Sequence, residues 1–118
     1  TTASPGDLTL MLYNGCIKFI HLAKKAMNDG EIEMKNTNIQ KAQNIIRELM
    51  VTLNMDIEIS KNMMALYDFM NRRLIEANIK NDPAILEEVE DFIREFRDTW
   101  KQAIQMNRQR QYAESGQV

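Results

Sequence analysis

Four segments of this chain, each roughly six to seven helical turns long, carry apolar residues at alternating three- and four-residue intervals. They span about residues 5–28, 31–53, 57–79 and 83–107. That spacing is the period of an amphipathic helix and leaves little room for any class but all-α. Only four Gly and two Pro occur in 118 residues, so little interrupts the helices. Helices of similar length joined by short turns fold most simply as an antiparallel up-down-up-down four-helix bundle. No repeat or linker suggests a second domain, and from Arg108 to Val118 the sequence is polar and reads as a disordered tail.

The breaks carry recognisable stop and start chemistry. Ser4 is an N-cap residue, Pro5 suits a first helical position, and Asp7 sits where a capping box places its acid. Gly30 suits the left-handed end of the first helix, and Asp82-Pro83 opens the fourth. Core stripes follow from the period. They are Leu8, Met11, Leu12, Phe19, Leu22 and Ala26; Ile39, Ala42, Ile46, Leu49 and Leu53; Ile59, Met63, Leu66, Met70, Leu74 and Ala77; and Leu86, Val89, Ile93, Phe96, Trp100 and Ala103. Trp100 is expected to be buried.

The first helix has more apolar surface than one stripe requires. Leu10, Tyr13, Ile17 and Ile20 form a second set, and the two sets sweep roughly 260° of the cylinder at about 100° per residue. Asn14, Lys18, His21, Lys25 and Asn28 are left as its polar strip. The third helix has a weaker outer set in Ile57, Met64 and Ile75. Surplus apolar surface must be covered, by more of the same protein or by a partner. Nine Met fit a surface that adapts to a variable apolar partner, or simply fill gaps in the core.

Several function classes find no support in the residues. Fifteen basic residues stand against seventeen acidic ones without a basic block, a poor match to nucleic-acid binding. No apolar run approaches the roughly 20 residues of a membrane-spanning helix, and no signal-peptide pattern is visible. The numbering opens on Thr1, which leaves room for an upstream segment. Cys16 has no disulfide partner and reads as a small buried thiol, as in a reducing compartment. His21 is the only histidine and falls on the polar strip. Paired Glu-x-x-His motifs for a di-metal bundle are absent, as is a glycine-rich phosphate loop. Glu87, Glu88, Glu90, Asp91 and Glu95 read as a charged first turn and a solvated face. No catalytic residue, cofactor or metal is expected.

Ser4-Pro5-Gly6-Asp7-Leu8 with Met11-Leu12-Tyr13-Asn14-Gly15 resembles the opening signature of the flagellin-specific export chaperone family, FliS. Lys41-Ala42-Gln43-Asn44-Ile45-Ile46 resembles it in the second helix, and Leu66-Tyr67-Asp68-Phe69-Met70, Arg72-Arg73-Leu74 and Ala77-Asn78 in the third. Glu88-Val89, Phe96-Arg97 and Trp100 add the fourth. The likeness covers about residues 3–104 and is greatest to bacillus-type members. It implies a cytoplasmic helical bundle that binds the C-terminal segment of new flagellin, prevents its polymerisation and assists its presentation to the flagellar export gate. It also implies a tyrosine-containing segment, upstream of the Ser-Pro motif, that folds back over part of the binding surface.

Leu10, Tyr13, Ile17 and Ile20 are therefore the expected partner-binding or self-capping stripe, with Met64 and Ile75 as a second patch. The competing reading makes these residues bundle core, or the seam of an obligate homodimer in a structural interaction module. Uncovered apolar surface also favours homo-oligomers when the partner is missing. Tyr67 and Arg73 flank the third-helix core and suit either packing or recognition. Burying four such side chains is worth roughly 6–12 kcal/mol gross. Ordering a disordered partner offsets several kcal/mol of that, so useful affinity requires a long contact.

Overall fold

Ser4 starts the first helix as its chemistry predicts: its Oγ accepts the Asp7 N–H at 3.2 Å and donates to the Asp7 carboxylate at 2.8 Å. The computed structural model describes residues 4–116. Within them are four helices and no strand: α1 (Pro5–Asn28), α2 (Ile32–Val51), α3 (Glu58–Lys80) and α4 (Pro83–Gly116). Gly30 ends α1 with φ +73°, while the Glu31 N–H returns to the Ala26 carbonyl at 2.9 Å. Asn81 performs the same turn after α3, in the left-handed region at φ +53°. Its side-chain oxygen accepts from the buried Lys35 ammonium at 3.0 Å, which joins this turn to the start of α2. Asp82 then caps α4, accepting the Ala84 N–H at 2.9 Å.

α1 lies between α2 and α4, α3 completes the ring against the same two helices, and α1 has the most extensive contacts. Inter-helix pairs follow a consistent order. Asp7, Tyr13 and Lys24 on α1 meet Arg108, Phe96 and Glu90 on α4. Tyr67, Phe69 and Arg73 on α3 meet Phe96, Phe92 and Glu88 on α4. Rising numbers on one helix match falling numbers on the other.

The core is densest toward the α1–α2 turn. Ile20, Ala23 and Met27 pack there with Ile39, Ala42, Leu74, Ala77, Leu86 and Val89. On α2 the buried set is close to the stripe read from spacing: Ile39, Ala42, Ile46 and Leu49 are all sealed. α1 is different. Tyr13, Cys16, Ile17, Ile20, Ala23 and Met27 face inward, whereas Leu8 and Met11 are 50% and 63% exposed. The expected core and outer stripes of α1 are thus largely exchanged. With α2 on one side and α4 on the other, a wide arc of α1 is buried. Cys16 and Ala23 are fully enclosed on this inward face, with the Cys16 Sγ 3.8 Å from the Ala42 carbonyl oxygen.

The polar stretch from Arg108, expected as a disordered tail, is helical in this structure. α4 continues to Gly116 as one 34-residue helix, and residues 117–118 lie outside the described residues. No Pro occurs after Pro83, and Gln, Arg, Ala and Glu are adequate helix formers. Arg108 also anchors the helix by a two-oxygen contact with Asp7 at 2.9 and 3.0 Å. At about 1.5 Å per residue α4 is roughly 50 Å long, which accounts for the elongated shape of 60 × 29 × 22 Å.

Candidate partner-binding groove

The end of the bundle opposite the dense core is open. The start of α1, the connector between α2 and α3, the first turns of α3 and the middle of α4 enclose a groove of about 960 Å³. Leu8, Leu12, Leu53, Ile59, Met63 and Trp100 supply most of its apolar wall. The connector brings Leu53 and Ile57 to the rim, where a polar turn would be usual. Leu8 is 50% exposed, Ile57 51% and Ile59 64%, so this wall faces water. Such a concentration of bulky apolar side chains at an opening is the character of an interaction site.

The floor carries the one aromatic-polar cluster of the site. Tyr13 from α1 and Tyr67 from α3 place their hydroxyl oxygens 2.6 Å apart beneath Phe96. Phe96 stacks on the Tyr13 ring with centroids 6.4 Å apart and meets Tyr67 edge-on at 6.1 Å. Burial pushes both phenol pKa values above their ordinary value, so both stay protonated. On the rim, Trp100 donates its indole N–H to the Gly6 carbonyl at 2.9 Å, fixing the first turn of α1 against α4. Among the lining residues Glu95 is the only charged group.

Cys16 lies in the core, and desolvation raises its thiol pKa to about 12. Among the described residues, no cluster of three or more His, Cys, Asp or Glu side chains is placed to hold a metal ion. Likewise, no described helix is long and apolar enough to cross a membrane.

A family model described as flagellar protein FliS matches residues 1–107. The chain belongs to the FliS family. It is similar to the flagellar secretion chaperone FliS of Bacillus subtilis strain 168, with 57% identity over 115 residues, 98% of this chain and 86% of the relative. The FliS chaperones of Vibrio cholerae and Escherichia coli K12 are 39% and 37% identical, covering 86% and 87% of this chain and 76% and 78% of theirs.

Only one of the six expected contact residues reaches the groove of this FliS-family bundle. Tyr13 forms part of its floor, although it is 3% exposed. Ile17 and Ile20 are core residues, 7% and 0% exposed, and offer no outer stripe. Their burial follows from the face that α1 turns toward α2 and α4. Leu10 and Met64 are half-buried and Ile75 is 46% exposed, but none of them lines the groove.

Most residues of the wall have the spacing of core: Leu8, Leu12, Leu53, Ile59, Met63, Phe96 and Trp100 all fall on the stripes predicted to be internal. They are core-type residues at the end of the bundle where the core is left uncovered. Trp100, expected to be buried, is 38% exposed. One sequence signal marked this end. Leu53, Met55 and Ile57 put three large apolar residues into a short inter-helix connector. Ser60, one residue after the exposed Ile59, is buried, showing that α3 turns an apolar side chain outward there.

Proposed function

We propose that this protein is a cytoplasmic export chaperone. It binds the disordered C-terminal region of flagellin, keeps it from polymerising and assists its delivery to the flagellar export apparatus. The observation that carries this reading is the open apolar groove at one end of an otherwise well-packed bundle. Family membership supports it, since the relatives are named flagellar secretion chaperones. Contact order along the helices supports an antiparallel up-down-up-down arrangement, which leaves the groove at the end holding the N-terminus of α1 and the α2–α3 connector.

A chaperone of this type is a binding protein rather than an enzyme. An amphipathic segment of flagellin lays its apolar face into the groove, the helix-in-groove mode of recognition. Each of Leu8, Ile59 and Met63 contributes at most roughly 1.5–3 kcal/mol on full burial. The partner loses several kcal/mol in becoming ordered. A contact that continues beyond the groove is therefore part of the reading, and the exposed Leu66, Phe69 and Phe92 along the α3–α4 seam offer a path.

Calorimetry with a flagellin C-terminal fragment, using an N-terminal fragment as control, tests this function. Binding of the C-terminal fragment alone is expected. Met63→Asp and Ile59→Asp should abolish it while retaining a helical circular-dichroism spectrum. Equal binding of both fragments, or tight binding by a folded Met63→Asp protein, would overturn the reading.

A further inference from the structure

Tyr13 and Tyr67 bring two phenol hydrogens to one place, and the single bond between their oxygens uses one of them. Among the described residues, neither hydroxyl has another side-chain or backbone hydrogen-bond partner. Both residues line the groove, although they are only 3% and 2% exposed. The second hydrogen is thus nearly out of water already, and an occupant of the groove would complete its separation unless it supplies an acceptor. A buried donor left unpaired weakens binding substantially, whereas a matched acceptor adds selectivity.

The chemistry of that acceptor is restricted. A helical occupant uses its backbone carbonyls internally except in its last turn, so the acceptor is a side-chain oxygen. A carboxylate is disfavoured because Glu95 lines the same groove and no Lys or Arg does. Lys and Arg side chains contain no acceptor at all. Neutral amides and hydroxyls remain.

We propose that the Tyr13–Tyr67 hydroxyl pair is a selectivity element. It donates one hydrogen bond to an Asn, Gln, Ser or Thr side-chain oxygen on the otherwise apolar face of the bound segment. This rests on the reading that the groove holds a flagellin C-terminal segment. The groove accordingly selects a hydrophobic stripe interrupted by one neutral polar residue, rather than hydrophobicity alone.

The test combines both partners. In the Tyr13→Phe/Tyr67→Phe protein both hydroxyls are lost together, so no unpaired partner remains within the fold. Calorimetry should show the flagellin C-terminal fragment binding about 5- to 50-fold more weakly to it. On the wild-type chaperone, each Asn, Gln, Ser and Thr of the fragment is replaced in turn by an apolar residue of similar size. One position should reproduce the loss, and that replacement should cost nothing further in the double-Phe background. Unchanged affinity of a folded double-Phe protein overturns the proposal, as does a scan in which no position matters. Met63→Asp separates the two readings: if it abolishes binding while the double-Phe protein binds normally, the groove stands and the selectivity element falls. If Met63→Asp binds normally, both fall.

Discussion

The indole of Trp100 donates to the Gly6 carbonyl across 2.9 Å, linking the middle of α4 to the first turn of α1. Gly6 contributes here through its backbone alone, and a Cβ at this position would meet Ile104 at 3.4 Å, an ordinary contact. Two residues 94 positions apart thereby hold one wall of the groove in place. Since Trp100 is 38% exposed, its contribution is smaller than that of a sealed aromatic. Trp100→Phe should cost about 1 kcal/mol in urea denaturation, the worth of one hydrogen bond. Trp100→Ala should fall below the roughly 3–5 kcal/mol typical of a fully buried aromatic. A loss within that range would place the ring in the core.

The exchanged faces of α1 make a sharp contrast between two hydrophobes of the same helix. Ile20→Ala should destabilise the protein by about 2–5 kcal/mol, because the side chain is fully enclosed. Met11→Ala should stay within about 0.5 kcal/mol, because the residue is 63% exposed. Chemical denaturation followed by circular dichroism measures both. Equal losses would contradict the inward assignment of Ile20.

At the α3–α4 turn, Asn81 combines a left-handed backbone with a hydrogen bond from Lys35. Both Asn81→Gly and Asn81→Ala lose the bond, but glycine relieves the left-handed backbone of its Cβ, whereas alanine keeps a Cβ there without asparagine's tolerance of that conformation. The alanine variant should be less stable than the glycine variant by roughly 1 kcal/mol. Melting temperatures in the reverse order would show that the turn is not held as described.

Acid should loosen α3 through Glu76. Its carboxyl pKa lies below the ordinary 4.5, because Lys80 and then Arg73 donate hydrogen bonds to the charged form. A depressed carboxylate stabilises the fold above its unfolded pKa, and that contribution disappears as pH falls through the lower native value. The stability difference between wild type and Glu76→Gln should therefore be greatest well above pH 4.5 and shrink below it. Denaturation series at several pH values provide the measurement, and a difference that grows on acidification would reverse the sign.

Cys16 should resist alkylation in the native state. Its side chain is enclosed and its pKa is raised to about 12, so thiolate is scarce at neutral pH. Labelling with a thiol reagent should appear only as denaturant unfolds the protein. Rapid native labelling would show that the α1–α2 interface opens readily.

Helix limits were legible because the terminating chemistry is local. Ser4, Gly30 and Asp82 act within a few residues of their own positions, and the observed ends of α1 and α4 reflect them. On α2 a single apolar stripe faces the core, so spacing alone identified Ile39, Ala42, Ile46 and Leu49. α1 has two stripes, and choosing between them depends on how α2 and α4 approach it. That information is not carried by one helix. The fully enclosed Cys16 and Ala23 are small enough to be overlooked in a pattern of large hydrophobes. The groove escapes the sequence pattern for a related reason. Leu12, Met63 and Phe96 have the spacing of core residues, and only the three-dimensional end of the bundle decides whether another layer covers them.

The enclosed layer from Ile20 to Leu86 lies apart from the open mouth, so the residues that seal the bundle and those that rim the groove occupy separate ends of the chain's long axis. Leu8, Ile57 and Ile59, each at least half exposed, can then change without jeopardising the sealed residues on which cooperative folding depends.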